Sequence, residues 1–450
     1  MGRLFGTDGA RGVANTELTC ELAMQIGRAA AVVLTKETAH KPKIVIARDT
    51  RISSEMLEAA LAAGICSVGA DAVLLGVIPT PAASFLVSKY HADAGVMISA
   101  SHNPVEFNGI KLFASTGYKL PDVLEEQIEE LILDTPENIS LKSGTDLGRI
   151  VSRYTAAEDY IRHLLSTMDT DLSGISVALD CANGSASATA QAVFTRLGAK
   201  VYMLHDTPDG TNINKNCGST HMESLMRYVE AHPGLVGGFA FDGDADRCLA
   251  VDASGRKIDG DQIIAAFAKH MKEENRLSSD TAVVTVMSNF GMRDFGKREN
   301  IQIVQTAVGD RYVLEEMLEH GYNLGGEDSG HIILSDYANT GDGQLTALQL
   351  LRICKKTGKT LSELAETMQK SPQVLHSVYA TAEDKKRYMQ IPAIQNALKE
   401  AADILGENGR VLVRASGTEP LIRVMLEGSD AVQIQSLCEK ICKTIEENIG

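Results

Sequence analysis

The sequence predicts an α/β protein with three mixed α/β (α/β/α) domains and a smaller C-terminal α+β domain. The chain has 450 residues, which is more than one hydrophobic core usually supports. Short β-rich runs alternate with helical patterns through most of the chain, and this alternation is typical of βαβ units. The order of elements changes near the end. We therefore expect domains at 1–150, 151–255, 256–369 and 370–450.

The first three predicted domains share one pattern of strands and helices. In the first domain, β-rich runs occupy residues 43–47, 72–75 and 95–99, and an alanine-rich helix is predicted over 54–68. The pattern recurs as predicted strands at 175–180, 201–204 and 237–243, and again at 282–288, 301–306 and 323–327. We interpret these runs as three successive α/β units.

The last domain follows a different order. After Gln369 the sequence predicts a strand, a helix, two strands joined by a glycine turn, and a final helix. The predicted bounds are 374–380, 382–405, 410–414, 421–427 and a helix from 430. This order indicates an α+β unit.

Composition and charge exclude several classes of function. The chain carries 59 acidic and 43 basic residues, for a formal charge of −16, which opposes nonspecific binding to nucleic acids or anionic membranes. It has no run of about 18 apolar residues and no apolar signal segment. Its eight cysteines form no C-x-x-C pair, which favours a reducing compartment. We expect a cytoplasmic protein.

A serine at the end of a predicted strand is the first candidate for chemistry. Ser101 follows the apolar run at 95–99, and Asn103-Pro104 disfavours regular structure directly after it. Loops at strand ends are where α/β proteins place reactive groups. A polar turn without a catalytic role is the alternative at this point.

Three carboxylates at alternate positions form the second candidate site. Asp242, Asp244 and Asp246 follow a predicted strand and would repel one another unless a cation neutralises them. Oxygen ligands suit Mg²⁺. An EF-hand is excluded, because Arg247 and Ala253 stand where that motif needs Gly and Glu. A phosphatase that uses Asp242 as its nucleophile stays open, as does a solvated acidic turn.

The turn between the last two predicted strands has the composition of a phosphate site. It combines Arg414, Ser416, Gly417 and Thr418, and Arg423 follows on the next strand. Backbone N–H groups around a glycine can form an anion-binding nest, and arginine offers a planar fork to phosphate oxygens. A plain hairpin turn is the alternative.

Two further loops carry weaker signals. Glu327 and Ser329, in the run GEDSGH, offer an acceptor and a donor suited to sugar hydroxyls, although Glu327 could equally serve as a helix cap or an ion-pair partner. Near the N-terminus, Arg11 lies in a glycine-punctuated loop that lacks both the P-loop ending and the dinucleotide spacing. ATP and NAD are therefore not indicated.

In this order, the runs FGTDGARG, ISASHNP, DGDADR, GEDSGH and RASGTEP resemble the α-D-phosphohexomutase superfamily over essentially the whole chain. Longer runs are similar to its bacterial branch that acts on glucosamine phosphates: GRLFGTDGARGVAN, GTNINKNCGSTH, TAVGDRYV and NTGDGQLTALQL. One departure is Asp328, where that branch commonly carries Gln. The resemblance implies four domains around a central active-site cleft, the last of them TATA-binding-protein-like.

The resemblance also implies roles for individual residues. Ser101 would be a phosphoserine and the nucleophile, and would hold one Mg²⁺ together with Asp242, Asp244 and Asp246. Other catalytic groups would be Arg11, His102, Lys111 and Arg247. Glu327 and Ser329 would contact the sugar, and the phosphate would be bound by Arg414, Ser416, Gly417, Thr418 and Arg423.

The implied activity is an isomerase reaction between glucosamine 6-phosphate and glucosamine 1-phosphate, for UDP-N-acetylglucosamine and peptidoglycan precursor synthesis. Glucosamine 1,6-bisphosphate would be both intermediate and activator. The expected partner is a small sugar phosphate, with no nucleic acid or membrane, and the expected assembly is a homodimer. A mutase for mannose or glucose phosphates and a non-catalytic sugar-phosphate sensor are the alternatives.

Overall fold

The computed structural model describes residues 3–6, 9–36, 38–416 and 420–449. The chain divides into two compact units. The first contains the chain up to residue 286 together with 304–367, and the second contains 287–303 together with the chain from 368. Four sheets follow one another along the sequence.

The first sheet has seven strands in the order β1-β2-β6-β5-β3-β4-β7. Its segment contains β1 (Phe5–Gly6), β2 (Gly9–Val13), α1 (Cys20–Leu34), β3 (Lys43–Arg48), α2 (Ile52–Ser67), β4 (Asp71–Val77), α3 (Thr80–Lys89), β5 (Ala94–Ile98), β6 (Phe107–Ala114), α4 (Asp122–Leu133) and β7 (Ile150–Ser152). Strands β3, β4, β5 and β7 run parallel to one another. The other three strands pair antiparallel with their neighbours: β6 with β5, β2 with β6, and β1 with β2. The sheet therefore contains both parallel and antiparallel pairs.

Helices α1 and α2 lie unusually close together in this segment. A Cβ at Gly27 would lie 2.6 Å from the carbonyl oxygen of Leu61, and one at Gly64 would lie 2.2 Å from that of Met24. Real side chains do not tolerate such distances, so the two glycines allow the backbones of the helices to touch.

The second sheet has five strands in the order β12-β11-β10-β8-β9. Its segment contains α5 (Ala156–Ser166), β8 (Ser176–Asp180), α6 (Ala190–Arg196), β9 (Lys200–Leu204), α7 (Glu223–Ala231), β10 (Gly237–Phe241), β11 (Cys248–Asp252) and β12 (Lys257–Ile258). Strands β8, β9 and β10 are parallel, whereas β11 returns antiparallel to β10. The turn between β10 and β11 carries the three aspartates.

The third sheet has four strands in the order β14-β13-β15-β16. The corresponding segment contains α8 (Gly260–Glu273), β13 (Thr281–Thr285), α9 (Gly291–Glu299), β14 (Gln302–Thr306), α10 (Asp310–His320), β15 (Leu324–Gly326), β16 (Ile332–Leu334), α11 (Gly343–Thr357) and α12 (Leu361–Ala365). Helix α11 packs on β10 and β11 of the second sheet. None of the helices in the described part of the chain is long and apolar enough to cross a membrane.

The last segment is an antiparallel sheet of order β17-β19-β18 covered by helices. It contains β17 (Gln373–Tyr379), α13 (Asp384–Arg387), α14 (Pro392–Leu405), β18 (Gly409–Ala415), β19 (Leu421–Gly428) and α15 (Ala431–Asn448). The single helix predicted over 382–405 is wrong. The chain is extended at Ile391, before Pro392, because a residue that precedes proline avoids the helical region.

One buried hydrogen bond connects α5 to α11. The hydroxyl of Tyr160 donates to Asp342 Oδ2 at 2.7 Å, and both side chains are buried. Asp342 also caps α11, since its Oδ1 accepts from the N–H of Leu345 at 2.9 Å. Burial raises the pKa of Asp342 to about 6, although the hydrogen bonds from Leu345 and Tyr160 oppose the rise.

We expect Tyr160→Phe to lower the melting temperature by roughly 2–6 °C at pH 8, because a buried carboxylate loses a donor at a cost of about 1–3 kcal/mol. The folded-state pKa of Asp342 lies above its unfolded value of about 3.9, so the carboxyl is neutral near pH 5 and the loss there should be smaller. Thermal melts at both pH values test this. The control is Tyr154→Phe, since Tyr154 is 94% exposed; an equal shift in both variants would contradict the prediction.

Candidate active site

The candidate nucleophile lies in the connection between β5 and β6. Ser101 is buried, and its φ of 51° places it in the left-handed region, which is unfavourable for a residue with a Cβ. Such a conformation persists only where the surrounding structure holds it. The serine loop, which we define as residues 99–107, therefore needs an anchor.

Arg51 provides most of that anchor. Its buried side chain donates from Nε to Asp49 Oδ2 at 2.8 Å. Its Nη2 donates to the carbonyl oxygens of Ser101 and Asn103, both at 2.9 Å. Its Nη1 donates to two further carbonyl oxygens of the loop, those of Pro104 at 2.5 Å and Phe107 at 3.0 Å. One guanidinium thus fixes the backbone at the nucleophile and along the loop that follows it, and Asp49 balances its buried charge.

Two other side chains complete the support of the serine loop. Asn214 Nδ2 donates to the carbonyl oxygens of Ser101 at 2.8 Å and Asn103 at 3.1 Å. Ser99 Oγ accepts from the N–H of Ser101 at 2.9 Å and donates to Asp49 Oδ2 at 2.7 Å. Both backbone polar groups of Ser101 are therefore held by side chains.

The aspartate loop, residues 242–247, meets the serine loop directly. Ser101 Oγ donates to Asp242 Oδ2 at 2.6 Å. A Cβ at Gly243 would lie 2.5 Å from the carbonyl oxygen of Ser101, so glycine is required for this approach. Asp242, Asp244 and Asp246 are all buried, and one carboxylate oxygen from each lies within 4.8 Å of the others.

Groups from the first sheet and from α3 hold one side of this cluster. Lys111 Nζ donates to Asp244 Oδ2 at 2.7 Å and lies 3.5 Å from Asp246 Oδ2. Thr80 Oγ1 donates to the same Asp244 Oδ2 at 2.5 Å, and its N–H donates to the Asp244 carbonyl oxygen at 2.9 Å. The other oxygens, Oδ1 of Asp244 and of Asp246, accept no hydrogen bond from the described residues.

This arrangement fits a hard divalent cation. Burial, together with the charges of Asp246 and Asp244, raises the pKa of Asp242 well above its usual range. A bound cation would reverse that effect by favouring the ionised carboxylates. Oxygen-only ligands with two buried oxygens left unpartnered match the preference of Mg²⁺, so the described residues fit the predicted metal site.

His102 and Arg11 lie on the other side of Ser101. His102 Nδ1 is 3.3 Å from Ser101 Oγ. Burial lowers the pKa of His102 to about 4, helped by the charges of Arg247 and Arg11, so its imidazole is neutral at pH 7. Arg11 Nη1 donates to Asn103 Oδ1 at 3.4 Å. The structure thus brings both predicted residues to the serine loop.

The loop with Glu327 and Ser329 approaches the aspartate loop. Arg247 and His331 form an isolated antiparallel bridge, and His331 Nδ1 lies 3.7 Å from Asp246 Oδ2. Glu327 Oε1 accepts from the N–H of Gly309 at 3.1 Å, and burial raises the pKa of Glu327. The buried Oγ of Ser329 has no hydrogen-bond partner among the described residues, so it can accept a ligand hydroxyl.

The predicted phosphate site lies in the second unit. Arg414 and Arg423 are cross-strand partners on β18 and β19, and Lys385 Nζ donates to the carbonyl oxygen of Ser416 at 2.5 Å. Arginine guanidiniums match the oxygens of a phosphate, so two of them side by side suit a phosphate ligand. Gly417 and Thr418, which were predicted to bind it, lie outside the described residues.

Four positioning groups were not predicted from the sequence. Arg51 comes four residues after the strand run at 43–47, and Asn214 lies in GTNINKNCGSTH, so both had a signal. Thr80 and Lys385 had none, because a threonine at a helix start and a lysine in a helix are ordinary residues. Their roles depend on contacts with distant parts of the chain.

Models for the four domains of one family match the chain in succession. They are described as phosphoglucomutase/phosphomannomutase alpha/beta/alpha domain I at residues 2–138, domain II at 158–255, domain III at 259–371, and the C-terminal domain at 378–444. The matches confirm the predicted fold class and extend over most of the chain.

The chain is similar to a protein from Acetivibrio thermocellus named phosphoglucosamine mutase, with 53% identity over 100% of both chains. Among solved structures, it is similar to a phosphoglucomutase/phosphomannomutase family protein from Burkholderia thailandensis, with a TM-score of 0.82, 23% identity and coverage of 99% and 98%. The Aspergillus fumigatus N-acetylphosphoglucosamine mutase, in complex with GlcNAc-6P and magnesium, gives a TM-score of 0.72, 18% identity and coverage of 99% and 95%. Both structural likenesses show the fold alone.

We expect the wild-type chain to bind Mg²⁺ and Asp244→Asn to bind it at least about tenfold more weakly, since even outer-shell changes cost metal sites roughly 10–100-fold. Isothermal titration calorimetry of the full chain measures both affinities, with circular dichroism as the check of folding. The control is Asp171→Asn, because the Asp171 side chain is 67% exposed. A folded Asp244→Asn protein with wild-type affinity would refute the metal site.

Proposed function

The chain belongs to the phosphoglucomutase/phosphomannomutase family. We propose that it is an isomerase with the activity of a phosphoglucosamine mutase, which interconverts glucosamine 6-phosphate and glucosamine 1-phosphate. The observation that carries the proposal is the Ser101 hydroxyl, held 2.6 Å from Asp242 within a buried carboxylate cluster. The full-length relative from A. thermocellus supports glucosamine as the sugar.

In the proposed reaction, phosphorylated Ser101 donates its phosphoryl group to the free oxygen of the sugar monophosphate. The bond between Ser101 Oγ and phosphorus breaks, a bond between phosphorus and the sugar oxygen forms, and the proton of the sugar hydroxyl ends on the Ser101 oxygen that the phosphoryl group has left. Glucosamine 1,6-bisphosphate results, turns around, and returns its other phosphoryl group to Ser101. The chain's task is in-line placement and charge stabilisation, which dominate catalysis of phosphoryl transfer.

The described residues supply the charges that this transfer needs. Asp242, Asp244, Asp246 and the Ser101 oxygen would hold Mg²⁺, which supplies neutralisation of charge on the phosphoryl group when bound. Lys111 and Arg247 border the cluster. Glu327 and Ser329 would orient the sugar through its hydroxyls.

The phosphate group of the sugar that is not being transferred needs a binding site of its own. We assign this role to Arg414, Ser416 and Arg423, with Lys385 as a fourth group from the same unit. Gly417 and Thr418 keep the phosphate-binding roles that the resemblance implies. Arginine forks bind phosphate with two parallel hydrogen bonds, so they can grip either phosphate of the bisphosphate in turn.

Three further parts of the proposal concern the protein as a whole. Glucosamine 1,6-bisphosphate would act as the activator that first phosphorylates Ser101. The eight free cysteines support a reducing compartment and therefore a cytoplasmic location. Assembly as a homodimer stays a prediction from the resemblance, and light scattering after size-exclusion chromatography measures it.

A mutase for glucose or mannose phosphates is the second candidate. It is supported by Asp328 in the sugar-contact loop, where the related branch commonly carries Gln. The candidate substrates differ at the sugar 2-position. Comparison of kcat/KM for the three sugar monophosphates decides between them, and the proposal requires the highest value for glucosamine phosphate.

Incubation with glucosamine 1,6-bisphosphate and Mg²⁺ should add one phosphate to the chain, localised to Ser101 by peptide mass spectrometry and removed by a chase with glucosamine 6-phosphate. Ser101→Ala should remain unphosphorylated and lose turnover while it still binds the sugar phosphate. The control is Ser143→Ala at an exposed serine. Phosphate on Asp242 would favour an aspartate nucleophile, and phosphate on no residue would favour a sugar-phosphate sensor.

Arg51→Lys should lower kcat by roughly tenfold or more with little change in KM, because lysine cannot reproduce a guanidinium fork and a misplacement of about 1 Å can cost 10²-fold in rate. Steady-state kinetics with glucosamine 1-phosphate measure both constants. Arg162→Lys serves as the control, since Arg162 is 68% exposed. If a folded Arg51→Lys protein retained wild-type kcat, Arg51 would not position the nucleophile.

A further inference from the structure

A second group of metal-ligating side chains lies in the first unit, apart from the aspartate cluster. Asp180 ends β8, His205 directly follows β9, and Cys217 comes from the segment after them. One ligand atom from each lies within 4.8 Å of the others. Asp180 and Cys217 are fully buried, and the His205 side chain is 29% exposed.

Two buried atoms in this group face each other in a contact that only partly satisfies them. Asp180 Oδ2 and His205 Nδ1 lie 3.0 Å apart as an ion pair, but the contact does not have the geometry of a hydrogen bond and neither atom has another partner among the described residues. A buried carboxylate held in this way keeps part of its desolvation cost. A cation that bonds to both atoms would satisfy them together.

The remaining polar atoms of Asp180 and His205 have contacts of their own, and the ligand sulfur of Cys217 has one donor nearby. Asp180 Oδ1 accepts from the N–H of Ala182 at 2.9 Å, and His205 Nε2 lies 3.5 Å from Ser224 Oγ. Asn183 Nδ2 lies 3.9 Å from Cys217 Sγ. Metal ligands in proteins are characteristically oriented by such outer contacts.

We propose that Asp180, His205 and Cys217 form a binding site for a divalent cation of the zinc class. One carboxylate, one imidazole and one thiolate are all accepted zinc ligands, and three protein ligands leave a fourth position for water. The aspartate cluster, by contrast, offers only oxygen and suits Mg²⁺. On binding, the Cys217 thiol loses its proton to solvent and the sulfur bonds to the cation, while His205 binds through its neutral Nδ1.

A cation at this site would stabilise the segment that carries Asn214, which in turn holds the serine loop. The N–H of Asn214 donates to the carbonyl oxygen of Ala182 at 2.9 Å, and the N–H of Asn183 donates to that of His205 at 2.6 Å. A cation bonded to Asp180, His205 and Cys217 would therefore connect three loops, one of which carries Asn214. We assign it a structural role.

The experiment must separate this site from a cluster in the second unit that also has soft ligands, formed by His376, Cys438 and Cys442. It uses the full chain, stripped with a chelator and kept in excess Mg²⁺ so that oxygen-ligand sites are filled. Co²⁺, a spectroscopic substitute for zinc, is then titrated in. The readout is the thiolate-to-cobalt charge-transfer absorption in the near ultraviolet, together with the visible bands of tetrahedral cobalt.

We expect one equivalent of Co²⁺ to produce these bands in the wild-type chain and Cys217→Ser to abolish the charge-transfer band. His205→Asn, at a partly exposed position, should weaken binding and provides the test if Cys217→Ser does not fold. Cys181→Ser is the matched control, because Cys181 is a buried thiol next to Asp180 and outside the ligand set; it should keep the band.

Three results would overturn the proposal. The first is the absence of a thiolate band in the wild-type chain, which would leave Asp180 and His205 as an ion pair only. The second is survival of the band in both folded Cys217→Ser and folded His205→Asn. The third is loss of the band in Cys442→Ser and not in Cys217→Ser, which would assign the cobalt to the second unit. None of these readouts depends on catalytic activity, so they are independent of the proposed function.

Discussion

Charged side chains that are buried away from water must be paired, and this requirement shapes the whole structure. An isolated buried carboxylate or guanidinium is too costly to keep, so each must find a partner or a cation. Asp49 and Arg51 satisfy each other, and Lys111 answers Asp244. Asp49 and Arg51 are close in sequence, and the other donors of Arg51 hold the loop between β5 and β6. The pair of Lys111 and Asp244 joins distant parts of the chain and brings β6 to the β10–β11 turn. The candidate site is the place where the pairing stays incomplete.

The local balance of charge also explains how an acidic chain can bind an anionic substrate. The average field of the protein repels phosphate, since the formal charge is −16. The positive groups are therefore concentrated at two places, around Asp244 and Asp246 in the first unit and between β18 and β19 in the second. Each group acts over a few ångströms in a poorly hydrated environment, where a charge has far more effect than on the surface.

Local patterns in the sequence predicted much of the fold and indicated the candidate residues of the site. The alternation of strands and helices identified the α/β units, and the mutual repulsion of Asp242, Asp244 and Asp246 indicated a metal. The contacts of Arg51 with the serine loop were not predictable, because which backbone carbonyl a distant arginine reaches depends on the folded chain. The end of the helix before Pro392 is a different case. The proline is visible in the sequence, but the residues on both sides of it have helical periodicity, which favours one continuous helix.

The glycine contact between α1 and α2 has a consequence for recombining this chain with its relatives. Gly27 and Gly64 each lie against the backbone of the opposite helix, so the spacing of the two helices is encoded jointly by both. A chimera that inherits α1 from one parent and α2 from another would combine two halves of a fitted surface. Crossover points for gene shuffling therefore belong outside residues 20–67, and this helix pair is best inherited as one block.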